Sequence, residues 1–470
     1  MPDQSQEETS AFFSLWGTVL CSILVAVLIG SLLLFSTQSP LDQLDRPEDS
    51  LERLVTREMD LQNALRRAPQ WEGAIYQVFW GEDDTVNDSI AWYDELTGAV
   101  VSPRAQLYRV TLLAEAGESN RVNVAIGPWE LQDEAIARMG VWVRAAYLAA
   151  PPDPETGQTL LAEIREGLHA GWFADVLAAR IAAGIGDQVA QSEAESAIAA
   201  RGDALLSRWR VLAGGEIALL LLSGIVLVRV LARRSVVHLG EAPLPPDWMV
   251  QDGYGLFIRG VLGFLVISAL APFFLPEETL LVSVATLVAG APMLAWTTWY
   301  LVARGTSVPL TFGLVLPAGG AVRLVSVVVV LVGLSVLGEV TIALVGQALR
   351  FKTHWADGFL EELLWGAPWL VAAVALDSIV WAPLVEEIAF RGVLYATLRT
   401  RMGVGPAVVV SGAVFALAHG YGVLGFTSVF WSGILWALAY ERTRSLLPGM
   451  LAHAVNNFLV TVEFVWLLRW

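Results

Sequence analysis

The sequence predicts an all-α fold, in which a polytopic bundle of membrane helices carries an inserted soluble helical domain. Hydrophobic residues make up 55% and charged residues 16% of the 470 positions, whereas soluble domains have roughly 45–50% and 25%. Apolar runs of about 20 residues, the length that crosses a bilayer as a helix, recur along the chain. One long segment, 37–209, contains no such run and shows helical periodicity instead.

Charge and cysteine content exclude several other classes of protein. The net charge is −17, whereas a surface that binds nucleic acid is basic. Segment 37–209 holds 14 arginines and 28 acidic residues, so most of the negative charge belongs to this soluble segment. The single cysteine, Cys21, excludes a disulfide framework and a cysteine-based zinc site. Every basic residue except Lys352 is arginine, a bias typical of high-GC bacterial genomes.

The N-terminal region, 1–36, is predicted to be a cytoplasmic polar tail followed by the first membrane helix. Phe12–Phe35 is apolar over 24 residues, which at 1.5 Å per residue exceeds the ~30 Å hydrocarbon core of a bilayer. No basic segment precedes this stretch and no small-residue cleavage site follows it. We therefore expect an uncleaved signal anchor rather than a signal peptide.

Segment 37–209 is predicted to be an acidic helical domain. Five stretches have apolar residues at helical spacing and alanine-rich faces, and Pro and Gly clusters separate them. The pattern favours paired antiparallel helices. It fits either a tetratricopeptide-like stack, which would bind a protein partner, or a helical domain without a peptide groove. The stretches are 51–68, 104–116, 131–149, 159–183 and 189–208.

The rest of the chain is predicted to be a second membrane helix with a Pro-rich linker (210–255) and a membrane core (256–470). The linker contains Ala242-Pro243-Leu244-Pro245-Pro246. Counted with the signal anchor, the spans number eight or nine. The later ones are Val211–Leu231, Leu256–Phe274, Leu280–Val302, Val322–Leu344, Trp365–Trp381 with a kink at Pro383, Ala407–Ala418, Leu424–Tyr440 and Leu446–Leu468.

Arginine placement predicts the orientation in the membrane, because loops rich in Lys and Arg stay in the cytoplasm. Arg233 and Arg234 follow the second span and Arg304 follows the fourth, whereas the intervening loop has only acidic charges. Alternation then places the N-terminus in the cytoplasm and domain 37–209 outside. Arg208 and Arg210, just before the second span, argue for the opposite orientation. We expect a multi-pass protein of the bacterial inner membrane with an extracytoplasmic helical domain.

Three ionisable residues lie close together in the apolar stretch 383–392. Each costs roughly 2.5–3.5 kcal/mol to place in a bilayer, so a helix that keeps three of them is expected to use them. Glu387 and Arg391 are four residues apart, on one helix face, and are predicted to pair. Glu386 is five residues from Arg391 and is predicted to point elsewhere, free to act as a base. The alternative is an ion-pair network that only fixes helix packing.

Two histidines in later apolar segments complete a candidate site. His419 ends the sequence Phe415-Ala416-Leu417-Ala418-His419, and His453 begins His453-Ala454-Val455-Asn456-Asn457. A lone histidine in such a helix commonly serves packing. Two of them, together with a glutamate pair, are able to hold a divalent metal or position a water. By spacing, Asn457 or Asn456 is able to donate a hydrogen bond to an oxyanion.

These motifs resemble the CPBP family of intramembrane proteases, which includes CaaX prenyl endopeptidases and bacteriocin-processing or self-immunity (Abi-like) proteins. The resemblance rests on three motifs in the family's order and covers roughly residues 256–470. Segment 37–209 has no counterpart in the family core. The motifs are Glu386-Glu387-x-x-x-Arg391, Phe415-x-x-x-His419 and His453-x-x-x-Asn457.

The resemblance implies a membrane endopeptidase that hydrolyses a peptide bond of a membrane-associated substrate. It implies that Glu386 activates a water with help from His419, while His453 and Asn457 bind the water, a metal or the oxyanion. Glu387 and Arg391 would hold the site together. The implied catalytic residues are Glu386, Glu387, Arg391, His419, His453 and Asn457.

Two alternatives stay open at this point. The reaction is either assisted by a divalent metal, zinc first, with Glu386, His419 and His453 as ligands, or uses a glutamate-activated water without a metal. The alternative function is a non-catalytic membrane scaffold or an immunity-type interaction protein on the same fold.

Overall fold

The computed structural model describes residues 11–35, 40–80, 85–232, 238–274, 280–317 and 320–469. Within these ranges every regular element is helical, which confirms the predicted all-α class. The chain divides into two compact units, a membrane unit (1–39 and 215–464) and a helical domain (40–214 and 465–470). Residues 1–10 of the predicted tail, and Arg233 and Arg234, lie outside the described residues.

Eight helices build the helical domain before the long α10 begins. The predicted helix 159–183 is two helices here, because the chain turns at 168–171. Arg201 joins three helices through ion pairs with the fully buried Asp60 (2.7 Å) and with Asp175 (2.6 Å). The helices are α2 (Pro47–Arg67), α3 (Gln70–Trp80), α4 (Thr85–Ala99), α5 (Pro103–Glu115), α6 (Ser119–Ile126), α7 (Glu134–Val143), α8 (Pro154–Gly167) and α9 (Trp172–Ile185).

The predicted helix 189–208 and the predicted span Val211–Leu231 form one helix, α10 (Gln188–Ala232), of 45 residues. The sequence between them, Trp209-Arg210, contains no helix-breaking residue, so the helical hydrogen bonds continue through it.

The membrane unit consists of apolar helices at the positions predicted for the spans. In the described part of the chain, seven helices are long and apolar enough to cross a membrane, and 287–303 and 404–417 are shorter apolar helices. The helices are α1 (Leu15–Phe35), α11 (Val250–Phe274), α12 (Leu280–Ala303), α13 (Val308–Thr311), α14 (Gly320–Ala348), α15 (Glu361–Trp365), α16 (Pro368–Leu376), α17 (Ala382–Glu386), α18 (Ala396–Arg399), α19 (Val404–Leu417), α20 (Val423–Thr443) and α21 (Leu447–Phe464).

The Pro-rich segment before α11, residues 239–248, is ordered, and we call it the strap. Along 241–248 the side chains alternate between exposed and buried, as in an extended strand lying on a surface. The N–H of Leu239 donates to the carbonyl of Thr443, and Arg444 donates to the carbonyl of Leu244 at 2.6 Å. Trp248 donates to the hydroxyl of Thr397 at 3.0 Å. The strap therefore ties the C-terminal ends of α18 and α20 together.

A buried carboxylate fixes the start of the first membrane helix. Asp252, at the beginning of α11, is fully buried and accepts hydrogen bonds from the backbone N–H of Phe12 (2.7 Å) and Phe13 (3.2 Å). Arg304, which follows α12, lies 3.5 Å from the same carboxylate. Burying a carboxylate is costly unless its lone pairs are satisfied. Asp252 thus holds α1 at the end of the membrane unit where α12 finishes.

Five arginines share this end of the membrane unit, and we call them the arginine rim. The strap contacts Arg444 through the carbonyl of Leu244. Asp252, in the α11 helix that follows the strap, pairs with Arg304. Glu441 forms ion pairs with Arg399 at 3.1 Å and with Arg444 at 3.8 Å. The rim consists of Arg304, Arg399, Arg401, Arg442 and Arg444.

Candidate active site

The helical run from Pro368 to Arg399 contains two π-helical segments, 377–381 and 387–395, on either side of α17. The sequence predicted a kink at Pro383, which lacks an N–H to donate. In the structure the run stays helical and changes register instead. A π turn brings residues five apart near each other, and such turns are frequent at functional sites. Glu386 ends α17 and Glu387 begins the second π segment.

The predicted ion pair between Glu387 and Arg391 is present and completely buried. Arg391 donates to Glu387 at 2.8 Å, and both side chains are 0% exposed. The guanidinium carbon lies 4.1 Å from the ring centre of Phe415 and 5.0 Å from that of Trp436. Aromatic faces attract a cation most strongly when water is absent. The pair is therefore held by charge and by two rings.

His453 lies between the two adjacent glutamates. Its Nδ1 is 3.4 Å from Glu387 and its Nε2 is 3.7 Å from Glu386. Trp436 stacks on the imidazole, with ring centres 4.2 Å apart and planes inclined by 20°. The simple α-helical spacing had Glu386 pointing away from its neighbour's site. In the structure both carboxylates face one imidazole, from the end of α17 and from the start of the second π segment.

The two glutamates differ in burial and therefore in the chemistry that is open to them. Glu387 is fully buried, whereas 29% of the Glu386 side chain is exposed. The Oε2 atom of Glu386 is itself buried and has no hydrogen-bond partner among the described residues. The same atom lies 3.7 Å from His453 Nε2, so the carboxylate and the imidazole face each other.

His419 follows the C-terminal end of α19 and faces Phe415. Its Nδ1 lies 2.8 Å from the carbonyl oxygen of Phe415. A carbonyl only accepts, so Nδ1 carries the proton and the neutral ring keeps a lone pair at Nε2. Phe415 contacts both histidine rings, at 4.7 Å from His419 and 6.0 Å from His453. One aromatic side chain therefore sets the position of both histidines.

Tyr421 lies beside His419 and was not among the predicted site residues. The two ring centres are 5.7 Å apart. Burial raises the pKa of Tyr421, and the negative charge of Glu386 adds to the rise. The phenol therefore stays protonated at neutral pH and keeps an O–H to donate near the site. A tyrosine in a short loop gives no sequence signal of this kind.

The two asparagines after His453 have different surroundings. Asn457 donates to the backbone carbonyl of Ser378 at 2.7 Å, which ties α21 to the first π segment. The carbonyl oxygen of the Asn456 side chain is buried without a hydrogen-bond partner in the described part of the chain. Asn457 thus uses one of its two N–H groups to position the helices around the site.

Two glycines make room for the buried ion pair. A Cβ on Gly449 would lie 2.9 Å from Glu387 Oε2, and a Cβ on Gly433 would lie 3.2 Å from Arg391 Nη2. Both distances are too short for a relaxed side-chain contact. Only the absence of a side chain lets α20 and α21 approach the pair so closely. Gly433, Gly449 and Trp436 therefore also belong to the site. They were not among the predicted site residues, because their contribution depends on contacts between separate helices.

The residues implied as metal ligands do not converge as a set. Glu386 and His453 are neighbours at 3.7 Å. Across the described ranges, no group of three or more His, Cys, Asp or Glu side chains is arranged to hold a metal ion. The donor set of Glu386, His419 and His453 therefore does not fit a metal as folded here.

A comparison with known protein families gives a match over part of the membrane unit. Residues 367–459 match the family model of the Rce1-like type II CAAX prenyl endopeptidases, a narrower range than the predicted core. All six predicted site residues lie inside it. No curated protein and no solved structure gives a significant match to the chain. Residues 367–459 are therefore similar to the CAAX-protease family, which supports the resemblance that the motifs predicted.

Proposed function

We propose that this protein hydrolyses a peptide bond of a membrane-associated substrate, with Glu386 as the base that activates the water. The observation that carries the proposal is the unequal burial of two adjacent glutamates around one imidazole. Glu387 is fully buried in its ion pair, whereas 29% of the Glu386 side chain is exposed. The Rce1-like match supports the reaction class.

The residues divide the reaction between them. Glu386 takes a proton from the water, and the hydroxide oxygen bonds to the carbonyl carbon of the scissile peptide. His419, with a lone pair at Nε2, assists the deprotonation. The imidazole of His453 and the carboxamide of Asn457 stabilise the oxyanion. The C–N bond then breaks as Glu386 passes the proton to the leaving amine, which leaves a carboxylate and an amine.

Substitution of the two glutamates is expected to have different consequences. Glu386→Gln removes the base, so turnover falls by about 10²–10⁴-fold while the protein keeps its stability. Glu387→Gln leaves Arg391 as an uncompensated buried charge, so it lowers the free energy of unfolding by about 3–5 kcal/mol as well as turnover. A substrate is first captured in the native host with the Glu386→Ala variant. Cleavage of this substrate by the purified full-length variants then measures turnover, and unfolding in mixed micelles measures stability.

The matched control is Glu362→Gln, which changes an exposed glutamate of the membrane unit. It should retain both activity and stability. Full turnover by Glu386→Gln would contradict the catalytic assignment. If this variant also complements the host's loss of the protein, the non-catalytic scaffold is the better description.

Adding one methyl group beside Glu387 is expected to disturb the site. Gly449→Ala puts a Cβ 2.9 Å from Glu387 Oε2, and the carboxylate is fixed by Arg391. A displacement of this kind should lower kcat by roughly 10- to 100-fold. Gly405→Ala is the control, because a Cβ on this helical glycine meets nothing within 4 Å. Equal activity of the two variants would show that the ion pair has no such steric requirement.

Metal dependence distinguishes the two forms of the mechanism. In the arrangement described, water activation needs only Glu386 and the histidines, so dialysis against EDTA should leave turnover within about two-fold of the untreated enzyme. Loss of turnover that zinc restores would favour the metal-assisted alternative, with Glu386, His419 and His453 moving together as ligands. Zinc content is measured on the same samples.

The proposed orientation places the arginine rim in the cytoplasm and the helical domain outside. The grouping of Arg304 with four other arginines at one end supports it, because such clusters stay on the cytoplasmic side. The bacterial inner membrane as location, and a protein partner for the helical domain, stay predictions.

A cysteine-labelling experiment tests the orientation. In a Cys21→Ser background, Leu131→Cys in the helical domain should react with an impermeant maleimide added to intact spheroplasts, because position 131 is 91% exposed. Met402→Cys, beside the rim, should react only after lysis. Labelling with the opposite pattern would reverse the orientation.

A further inference from the structure

A cavity of about 590 Å³ lies at the arginine-rim end of the membrane unit, away from the candidate active site. It is formed by the first turns of α1, the end of the strap, the start of α11 and the loop after α18. Its lining includes Val19, Ser22, Trp248, Tyr254 and Arg401. No residue of the candidate active site lines it. A volume of this size is within the range of small-molecule sites.

The cavity has an apolar side and a polar end. Leu15 and Val19 line it from α1 and are 59% and 40% exposed, so this wall is open to the surroundings of the membrane helix. Ser22, which also lines it, is seven residues beyond Leu15, about 10 Å along the helix. The hydroxyl groups of Ser22 and Tyr254 are 3.1 Å apart. The cavity therefore begins at the helix end and extends a short way toward the apolar interior.

The charge at the polar end is positive and uncompensated. Arg401 is exposed and lines the cavity. The other rim arginines near it are engaged, since Arg399 and Arg444 pair with Glu441, but Arg401 forms no ion pair with any described residue. Asp252, a buried acid at this end of the membrane unit, is already satisfied by two backbone N–H groups and by Arg304. The site thus offers a free guanidinium next to apolar surface.

We propose that this cavity binds an anionic glycerophospholipid. The phosphate would face Arg401, and the first carbons of an acyl chain would follow Val19 along α1 toward Ser22. Basic side chains at a membrane surface favour anionic headgroups, and the open apolar wall suits a chain that continues into the bilayer. The occupant touches α1, the strap and the α18 loop, so it joins three segments that Asp252 and Trp248 already bring together.

The test uses the full-length protein in detergent, with bound lipid counted by native mass spectrometry. Dioleoylphosphatidylglycerol should bind, and Arg401→Gln should weaken its affinity by about five-fold. Val19→Trp, which fills the apolar side, should weaken it to a similar degree. Arg442→Gln is the matched control, because Arg442 is an exposed rim arginine outside the cavity lining, and it should change the affinity by less than about two-fold.

Three results would overturn the proposal. Equal weakening by Arg401→Gln and Arg442→Gln would mean general attraction to the rim. Binding of dioleoylphosphatidylcholine with the same affinity would remove the requirement for an anionic headgroup. Displacement of the lipid by an equal concentration of glycerol 3-phosphate would mean that only the phosphate is held. Circular dichroism and size-exclusion profiles identical to the parent protein show that the variants are folded.

Discussion

The buried ion pair between Glu387 and Arg391 is the constraint on which the rest of the candidate site depends. Neither side chain reaches solvent, and a single unpaired charge in such a place costs several kcal/mol. Phe415 and Trp436 cover the guanidinium, and the same two rings contact His453. Any change that separates the pair therefore also moves the imidazole that faces Glu386.

Two chemically identical neighbours have different surroundings, and we propose different roles for them. Glu387 is neutralised by a cation and excluded from water, so it serves as a fixed support. Glu386 lies one residue earlier, keeps an unpartnered oxygen and is partly exposed. The shared histidine connects the two, since one ring nitrogen faces each carboxylate. The proposed support and the proposed base thus each lie within 4 Å of the same ring.

The arginine-rim end of the membrane unit has a separate organisation. The strap binds to the ends of α18 and α20, and Asp252 binds the start of α1. These contacts use backbone groups and buried polar side chains, so their geometry is closely defined. Helix α18 ends the same helical run that carries the two glutamates. The fixed end therefore sets the position of the helix that supports the reactive end.

The sequence by itself determined the all-α membrane class, the positions of the spans, the Glu387–Arg391 pair and the set of motif residues. Apolar length, helical spacing and motif order are local properties, and each follows from the residue order alone. The tertiary structure decided what depends on contacts between distant segments. Four features arise where separate helices meet: the contacts of both glutamates with His453, the space left by Gly449, the stacking of Trp436 and the hydrogen bonds that Asp252 accepts at the start of the first membrane helix. No periodicity in one segment specifies the register of another, so these features required the fold.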